Sequence, residues 1–360
     1  MVTSKSGIVL LKGKAGLGNR ILALLTAILY SKLANRHLLV DWRDGMYADS
    51  GVNAFPLLFS CRSASALVED LPSGSVHPWM WIQGLGLSAK EMERLMGVEG
   101  GSGCPFRGEV YSFDPRCLHY QEDVLVMWSL IARIAPMRRH FHGPWRHWRA
   151  LADDQLLARL LKEELEVHPA IQARCAEVQH GWLDRPRIGI HVRHSDRTTN
   201  LNRLRRRVAE LRQRHPEAVL FLATDSQAVL DDFQSRFGEV LTVPKWLPES
   251  GPLHQPSGAC PDRLAMARAA LVDMRLLASC DQLIVNENSS FSLITRLLWQ
   301  GIRDADRAGV RRHVRNVATL GSIPFPLRER VWRSRDRIVW TPWLWQTRRQ
   351  FCRLQGSQRG

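Results

Sequence analysis

The chain has 360 residues, enough for two domains of ordinary size with substantial cores, which excludes a peptide hormone or a disulfide mini-scaffold. With 45% hydrophobic and 24% charged residues it has a globular composition and not that of a disordered chain. Its 50 basic and 35 acidic residues give a net charge of +15, which suits an anionic partner: nucleic acid, a phosphorylated ligand or an acidic membrane surface. Forty-three of the basic residues are arginine, a skew that fits bidentate phosphate recognition or the base composition of a genome equally well. The seven cysteines, at 61, 104, 117, 175, 260, 280 and 352, form an odd set without a CxxC pair, indicating neither a disulfide framework nor a zinc site. The early apolar runs at 7–11 and 21–30 are too short for the core of a secretory leader with its cleavage site, or for a membrane span. A reducing, cytoplasmic setting is therefore expected.

In chain order, the opening is strand, glycine turn, helix, strand: apolar residues 8–11, glycines at 13, 16 and 18, a helical pattern over 19–33, and apolar residues 38–42. This is a βαβ unit. Residues 45–120 are rich in Gly, Pro and Ser, with short apolar stretches at 54–59 and 78–82, and are expected to be loops and irregular insertions. Leucines recur at helical spacing over 155–178, and 182–186 marks a boundary. Beyond it come strand 187–192, helix 201–214, strand 218–224, helix 227–237, strand 240–243, a proline-rich loop 244–261, helix 263–279, strand 282–285 and a helix opening near Ser289. Strand and helix alternating at these lengths predict parallel, doubly wound sheets. The expected fold is α/β, two Rossmann-like domains facing a cleft, over 1–183 and 184–305, followed by a basic tail over 306–360. Ligands of such sheets lie beyond the carboxyl ends of the strands, and the polar motifs fall there.

The first motif is the glycine turn from Gly13 to Arg20. Gly16, Gly18, Asn19 and Arg20 are candidate cleft residues, because glycines allow close backbone approach and the following helix offers free N–H groups to a phosphate. The GxxGxG spacing matches neither the dinucleotide fingerprint nor a Walker A loop, and a plain strand-to-helix turn is the competing reading. Asp41 stands where a dehydrogenase would hold ribose, but without the fingerprint this reflects topology only. The second motif ends the strand at 187–192: alternation puts His191 and Arg193 on one face, an imidazole for a base or leaving phosphate beside a bidentate phosphate partner. Asp225, which follows the next strand, is either a donor-site residue or a helix cap. The third motif is Asp273 among Leu271, Val272 and Met274. A carboxylate there needs a partner, supplied by the two donors of a guanine or by Arg275 or Arg296. Ser289 and Ser290 fall at a helix start, where they hold a phosphate or simply cap the helix.

Four stretches together, HVRHSD at 191–196, LFLATDS at 220–226, VPK at 243–245 with GPLH at 251–254, and ALVDMRLLASC at 270–280, resemble the rhizobial nodulation branch of the α1,6-fucosyltransferase family. GLGNR at 16–20 and NAFP at 53–56 look similar to the same group, so the resemblance touches most of residues 8–300. It implies a GT-B fold and an inverting, metal-independent glycosyltransferase that moves fucose from GDP-fucose to a hydroxyl of a glycan acceptor, without cofactor. Position by position it implies Arg193 on the β-phosphate, His191 and Asp273 on the guanine, and Ser289 or Ser290 on the phosphates. Lys245 and His254 would border the cleft loop, touching acceptor or pyrophosphate or standing in solvent. Animal members of the family carry a glutamate several residues beyond the HVR motif. Here Thr198, Thr199, Asn200 and Leu201 occupy that stretch, leaving Asp196 as the nearest carboxylate for a catalytic base, with Asp41, Asp44 and Glu249 more remote.

The tail over 328–360 has nine arginines against Glu329 and Asp336, interleaved with Trp332, Trp340, Trp343 and Trp345. This composition suits peripheral contact with the inner membrane and a lipid-linked acceptor, stacking on nucleic acid, or packing back on the first domain. The expected partners are a nucleotide-sugar donor and an oligosaccharide or lipid-linked glycan acceptor, without nucleic acid. The alternatives are transfer from another nucleotide sugar, or a basic nucleic-acid-binding protein without catalysis.

Overall fold

The computed structural model describes residues 7–68, 70–88, 91–92, 112–182, 185–194, 200–247, 260–286 and 289–299. The first half opens with β1 (Ile8–Lys12), α1 (Leu17–Ala34) and β2 (His37–Asp41), the predicted βαβ unit. Helix α1 ends at Asn35, whose φ of 52° is left-handed, a conformation asparagine tolerates at a helix end. By length and hydropathy α1 could cross a membrane, yet 78% of it is buried inside the protein. Its apolar residues run all round the helix, as burial on several sides requires.

Residues 45–120, expected to be irregular, contribute α2 (Ala54–Leu58), β3 (Phe59–Cys61), β4 (Ala64–Ala66) and β5 (Val76–His77). These strands are two or three residues long, too short for alternation to show. The buried strand β6 (Val124–Met127) follows. The first sheet has the order β4-β2-β1-β6-β5 and is parallel throughout. The helical pattern at 155–178 is divided into α3 (Asp153–Glu164), β7 (Leu165–Val167) and α4 (Pro169–His180), with β7 antiparallel to β3. Pro169 opens α4 and holds His168 at ψ 141°, because the residue before a proline is excluded from the helical region.

The second half comprises β8 (Arg187–Val192), α5 (Leu201–Arg214), β9 (Val219–Thr224), α6 (Gln227–Phe237), β10 (Val240–Leu241), α7 (Arg263–Ala278), β11 (Gln282–Ile284) and α8 (Ser290–Leu298). These elements match the predicted ones closely. Their parallel sheet has the order β10-β9-β8-β11. The halves meet through helices. A Cβ on Gly18 would stand 2.5 Å from Phe291 N and from the Ser290 carbonyl carbon, so α1 and α8 touch backbone to backbone. From α7, Arg263 Nη1 donates to Gly45 O at 2.9 Å and Arg268 Nη2 to Leu57 O at 3.4 Å.

Candidate active site

In the second half, β8 carries the run Ile188 to Val192 into the core and ends at a polar corner. His191 is buried, with Nδ1 2.6 Å from Ser292 Oγ and its ring stacked on Phe291 at 4.6 Å between centroids. The imidazole is thus fixed against the first turn of α8. Arg193 follows, half-buried. The turn beyond it is held by Asp225, whose Oδ1 accepts the His194 N–H at 2.8 Å. Asp225 therefore neither caps α6 nor stands open to solvent: the residue preceding α6 is Ser226, without a side-chain cap bond. Its carboxylate fastens the end of β9 to the loop that carries Arg193.

Ser289 is buried and caps α8, its Oγ accepting the Ser292 N–H at a long 3.5 Å, while Ser290 is half-buried in the first turn. Because Gly18 abuts Ser290 and Phe291, the amino termini of α1 and α8 converge between the halves. Each carries a partial positive charge, and together with Arg193 they suit an anion.

Asp273 is buried on α7 and pairs with Lys245, not with Arg275 or Arg296 as the sequence allowed; the two side chains are 4% and 6% exposed. Burial pushes the Asp273 carboxyl above its ordinary range, opposed by the Lys245 ammonium. Its Oδ1 has no hydrogen-bond partner among the described residues. A buried carboxylate oxygen left over in this way is costly unless a ligand donates to it.

Across the cleft, the glycine turn is more internal than its sequence suggests. Gly16 precedes α1 and Asn19 is half-buried in the first turn. Arg20 is buried: Nε donates to Ala15 O at 2.9 Å, Nη2 reaches Asp44 Oδ2 at 2.5 Å, and the guanidinium lies 4.9 Å from Tyr47 and 5.3 Å from Trp42. Burial pushes the Tyr47 hydroxyl up to about 12, against the opposing charges of Arg20 and, from the other half, Arg193.

At the ends of β1 and β2, the buried Lys12 Nζ donates to Asp41 Oδ2 at 2.6 Å, Leu85 O at 2.5 Å and Leu87 O at 3.0 Å. Burial lowers the Lys12 pKa despite Asp41. Asp41 also accepts from Arg43 Nε at 2.9 Å. Against the upward push of burial, the hydrogen bonds from Arg43 and Lys12 hold Asp41 below its ordinary 3.8. Beside this network a polar cleft of about 160 Å³ opens, lined by Asp41, Arg43, Asp44, Ser50, Ser88 and Glu91 among others.

The structure thus brings Arg193, Asp225, His191, Ser289 and Ser290 to one corner, joins Lys245 to Asp273, and turns Arg20 inward. Asp196, Glu249, His254 and the tail at 306–360 lie outside the described residues. Unforeseen were the stack of Phe291 on His191, the Lys245 partnership and the Lys12 network. Two of only seven lysines, at 12 and 245, are the buried cations of those networks, a compositional signal that was available. No group of three or more His, Cys, Asp or Glu suited to a metal occurs among the described residues.

The sequence model of the nodulation protein Z (NodZ) family matches residues 147–319. Nodulation protein Z of Azorhizobium caulinodans is 27% identical over 323 residues, covering 83% of this chain and 92% of its own. That of Bradyrhizobium diazoefficiens is 26% identical over 334 residues, covering 84% and 82%. A crystal structure of NodZ alpha-1,6-fucosyltransferase soaked with GDP-fucose superposes with a TM-score of 0.56 at 22% identity, over 82% of this chain and 93% of the other. Fucosyltransferase NodZ from Bradyrhizobium superposes with a TM-score of 0.55 at 20% identity, over 82% and 94%. The chain is therefore similar to NodZ across both halves, and its fold is the GT-B arrangement that the resemblance implied.

Proposed function

We propose that this protein is a fucosyltransferase that moves fucose from GDP-fucose to a hydroxyl of a glycan acceptor, by an inverting displacement that needs no metal. The observation that carries the reading is Asp273, buried, paired with Lys245 and left with an Oδ1 that has no partner among the described residues, in a chain similar over most of its length to NodZ. Guanine presents a ring N–H and an amino group side by side, and a fixed carboxylate is the acceptor such donors match. In this reading the second half, 184–305, holds the donor and the first, 1–183, the acceptor.

Attack of the acceptor oxygen on the anomeric carbon breaks the bond to the β-phosphate, whose oxygen leaves with the electron pair. Negative charge grows on the GDP. In this reading Arg193 and the converging amino termini of α1 and α8 stabilise it, since preorganised donors of this kind do so without reorganising. The acceptor proton needs a base. Asp41 is ill suited, since Lys12 and Arg43 stabilise its ionised form, and Asp44 is tied to Arg20.

Calorimetric titration with GDP-fucose, GDP-mannose, GDP and UDP, in moderate salt with a chelator present, tests the proposal. Binding at about micromolar affinity, worth roughly 8 kcal/mol, should be confined to the guanine nucleotides. Equal binding of UDP, or no nucleotide binding to folded protein, overturns it.

A further inference from the structure

We propose that Ser292 is a positioning residue for nucleotide recognition: its hydroxyl donates to Nδ1 of His191 and holds the imidazole as the neutral tautomer protonated on Nε2. His191 then meets the nucleotide as a hydrogen-bond donor. The inference deepens the donor reading and rests on it for the identity of the ligand. The tautomer itself depends only on the protein's own contacts.

Ser292 lies in the first turn of α8 and is completely buried. A serine there commonly caps its helix or bonds a carbonyl one turn back, but the cap of α8 is Ser289. Among the described residues the only polar partner of Ser292 Oγ is Nδ1 of His191, 2.6 Å away and 101 residues earlier in the chain. A hydroxyl has one proton and two lone pairs, while a neutral imidazole has one N–H and one bare nitrogen. Were Nδ1 the protonated nitrogen, it would donate to Oγ and strand the hydroxyl proton in the core, which costs more than an unused lone pair. An imidazolium, with both nitrogens protonated, fails in the same way. The pairing that satisfies both groups has Oγ–H donating to a bare Nδ1, and the ring proton is then on Nε2.

This bond also settles what the stack of Phe291 leaves open. Ring centroids 4.6 Å apart at 27° fix the plane of the imidazole, yet that face contact is the same when the ring is turned over about its Cβ–Cγ bond. The hydroxyl stands at one edge only. It is carried on a helix end held from two sides: Gly18 meets the backbone of Ser290 and Phe291 without room for a Cβ, and Ser289 Oγ accepts the Ser292 N–H. An Nε2–H suits a carbonyl or phosphate oxygen and rejects an amino group, which is the difference between guanine and adenine at the same ring carbon.

Long-range nitrogen–proton NMR of the full chain with isotope-labelled histidine, His191→Gln identifying the signal, reads the tautomer, and calorimetry with GDP reads its use. His191 should show a bare Nδ1 and a protonated Nε2. Ser292→Ala should lose this single pattern, still melt as a folded protein, and bind GDP roughly tenfold more weakly. Ser292→Thr, which keeps the hydroxyl, should restore both. Aminopurine riboside diphosphate, which keeps the amino group of guanine but lacks its carbonyl, separates the acceptors. Weakening with GDP alone assigns the Nε2 proton to the base, and equal weakening with both assigns it to a phosphate oxygen. A protonated Nδ1 in the parent, or a Ser292→Ala variant that binds GDP as tightly as the parent, overturns the proposal. A parent that shows the Nε2 proton but binds no GDP overturns the donor reading and supports the positioning of the ring.

Discussion

Replacing Asp273 with Asn separates the two roles this side chain combines. The change keeps the volume but leaves the Lys245 ammonium, 6% exposed, without a counter-charge. Breaking one side of a buried pair costs about 3–5 kcal/mol; at about 2–4 °C per kcal/mol for domains of this size, the expected drop in melting temperature is roughly 6–20 °C. Lys245→Met should cost about as much, by stranding the carboxylate. The double variant Lys245→Met/Asp273→Asn, with no buried charge, should recover most of the loss. GDP affinity should not recover: losing charged hydrogen bonds to guanine is worth about 1.5–3 kcal/mol, at least tenfold. The pH dependence has a definite sign. Burial raises the Asp273 carboxyl above its ordinary 3.8, so the folded state keeps a proton that the unfolded state gives up, and stability falls as pH rises from 3.8 toward the raised value. Without Lys245 opposing the shift, the Asp273 carboxyl of Lys245→Met should rise further, so this variant should lose more stability with rising pH than the parent. Urea titrations at two pH values, with calorimetry for GDP, measure all four proteins. An Asp273→Asn midpoint equal to the parent's refutes the buried pair, and a double variant that binds GDP normally refutes the guanine role.

Arg193→Ala should melt like the parent and lose turnover about a hundredfold to a thousandfold, roughly 3–4 kcal/mol of transition-state stabilisation; near-normal transfer in a radiolabelled-fucose assay contradicts the role given to it. Gly18→Ala drives a methyl against the backbone of Ser290 and Phe291, and should cost about 1–3 kcal/mol in a thermal melt, with an unchanged melt disproving the close approach. Asp41→Asn should cost about 3–5 kcal/mol by orphaning Lys12. Since Asp41 is held below 3.8, its contribution to the parent is present above that pH and lost below it, so the variant's stability should fall less in acid. Lys12→Arg should destabilise as well, which comparison of denaturant midpoints will decide.

The second half was legible almost element by element because β8 and β9 are six-residue, mostly apolar strands, each followed by a helix, the first of them capped by Asn200. The first half hid half its sheet. β4 and β5 are short edge strands, and β6 is a four-residue apolar run with no alternation to mark it; β4 is placed by pairing with β2, β6 by pairing with β1 and β5 by pairing with β6, which is tertiary information. The site was legible to the extent that chemistry sits on the sequence-adjacent pattern of strand ends. Burial of Asp273 in an apolar helix announced that a partner must exist. Which partner was not readable, since Lys245 is 28 residues away, in the loop after β10. For the same reason Arg20 looked like an open phosphate ligand, when Asp44, Trp42 and Tyr47 enclose it.

The buried charges have a common logic. Lys12, Asp41 and His191 stand on the last turns of strands that end at the cleft, and Arg20 in the first turn of a helix that begins there. Elsewhere among the described residues the basic side chains are mostly at the surface, where pairs such as Arg159 with Glu163 add little. Lys12 stands where three acceptors surround a point, meeting a carboxylate and two carbonyls, a set that a rigid planar guanidinium cannot reach together. Arginine occurs where aromatic faces and a carboxylate lie in planes, as around Arg20. Each network fixes a loop that faces the cleft: Lys12 the 85–88 segment, Arg20 the 44–47 segment, Asp225 the turn after Arg193. Buried ion pairs add little net stability over apolar packing, so their concentration here is best explained by position. They hold irregular backbone rigid where a transfer reaction requires fixed groups.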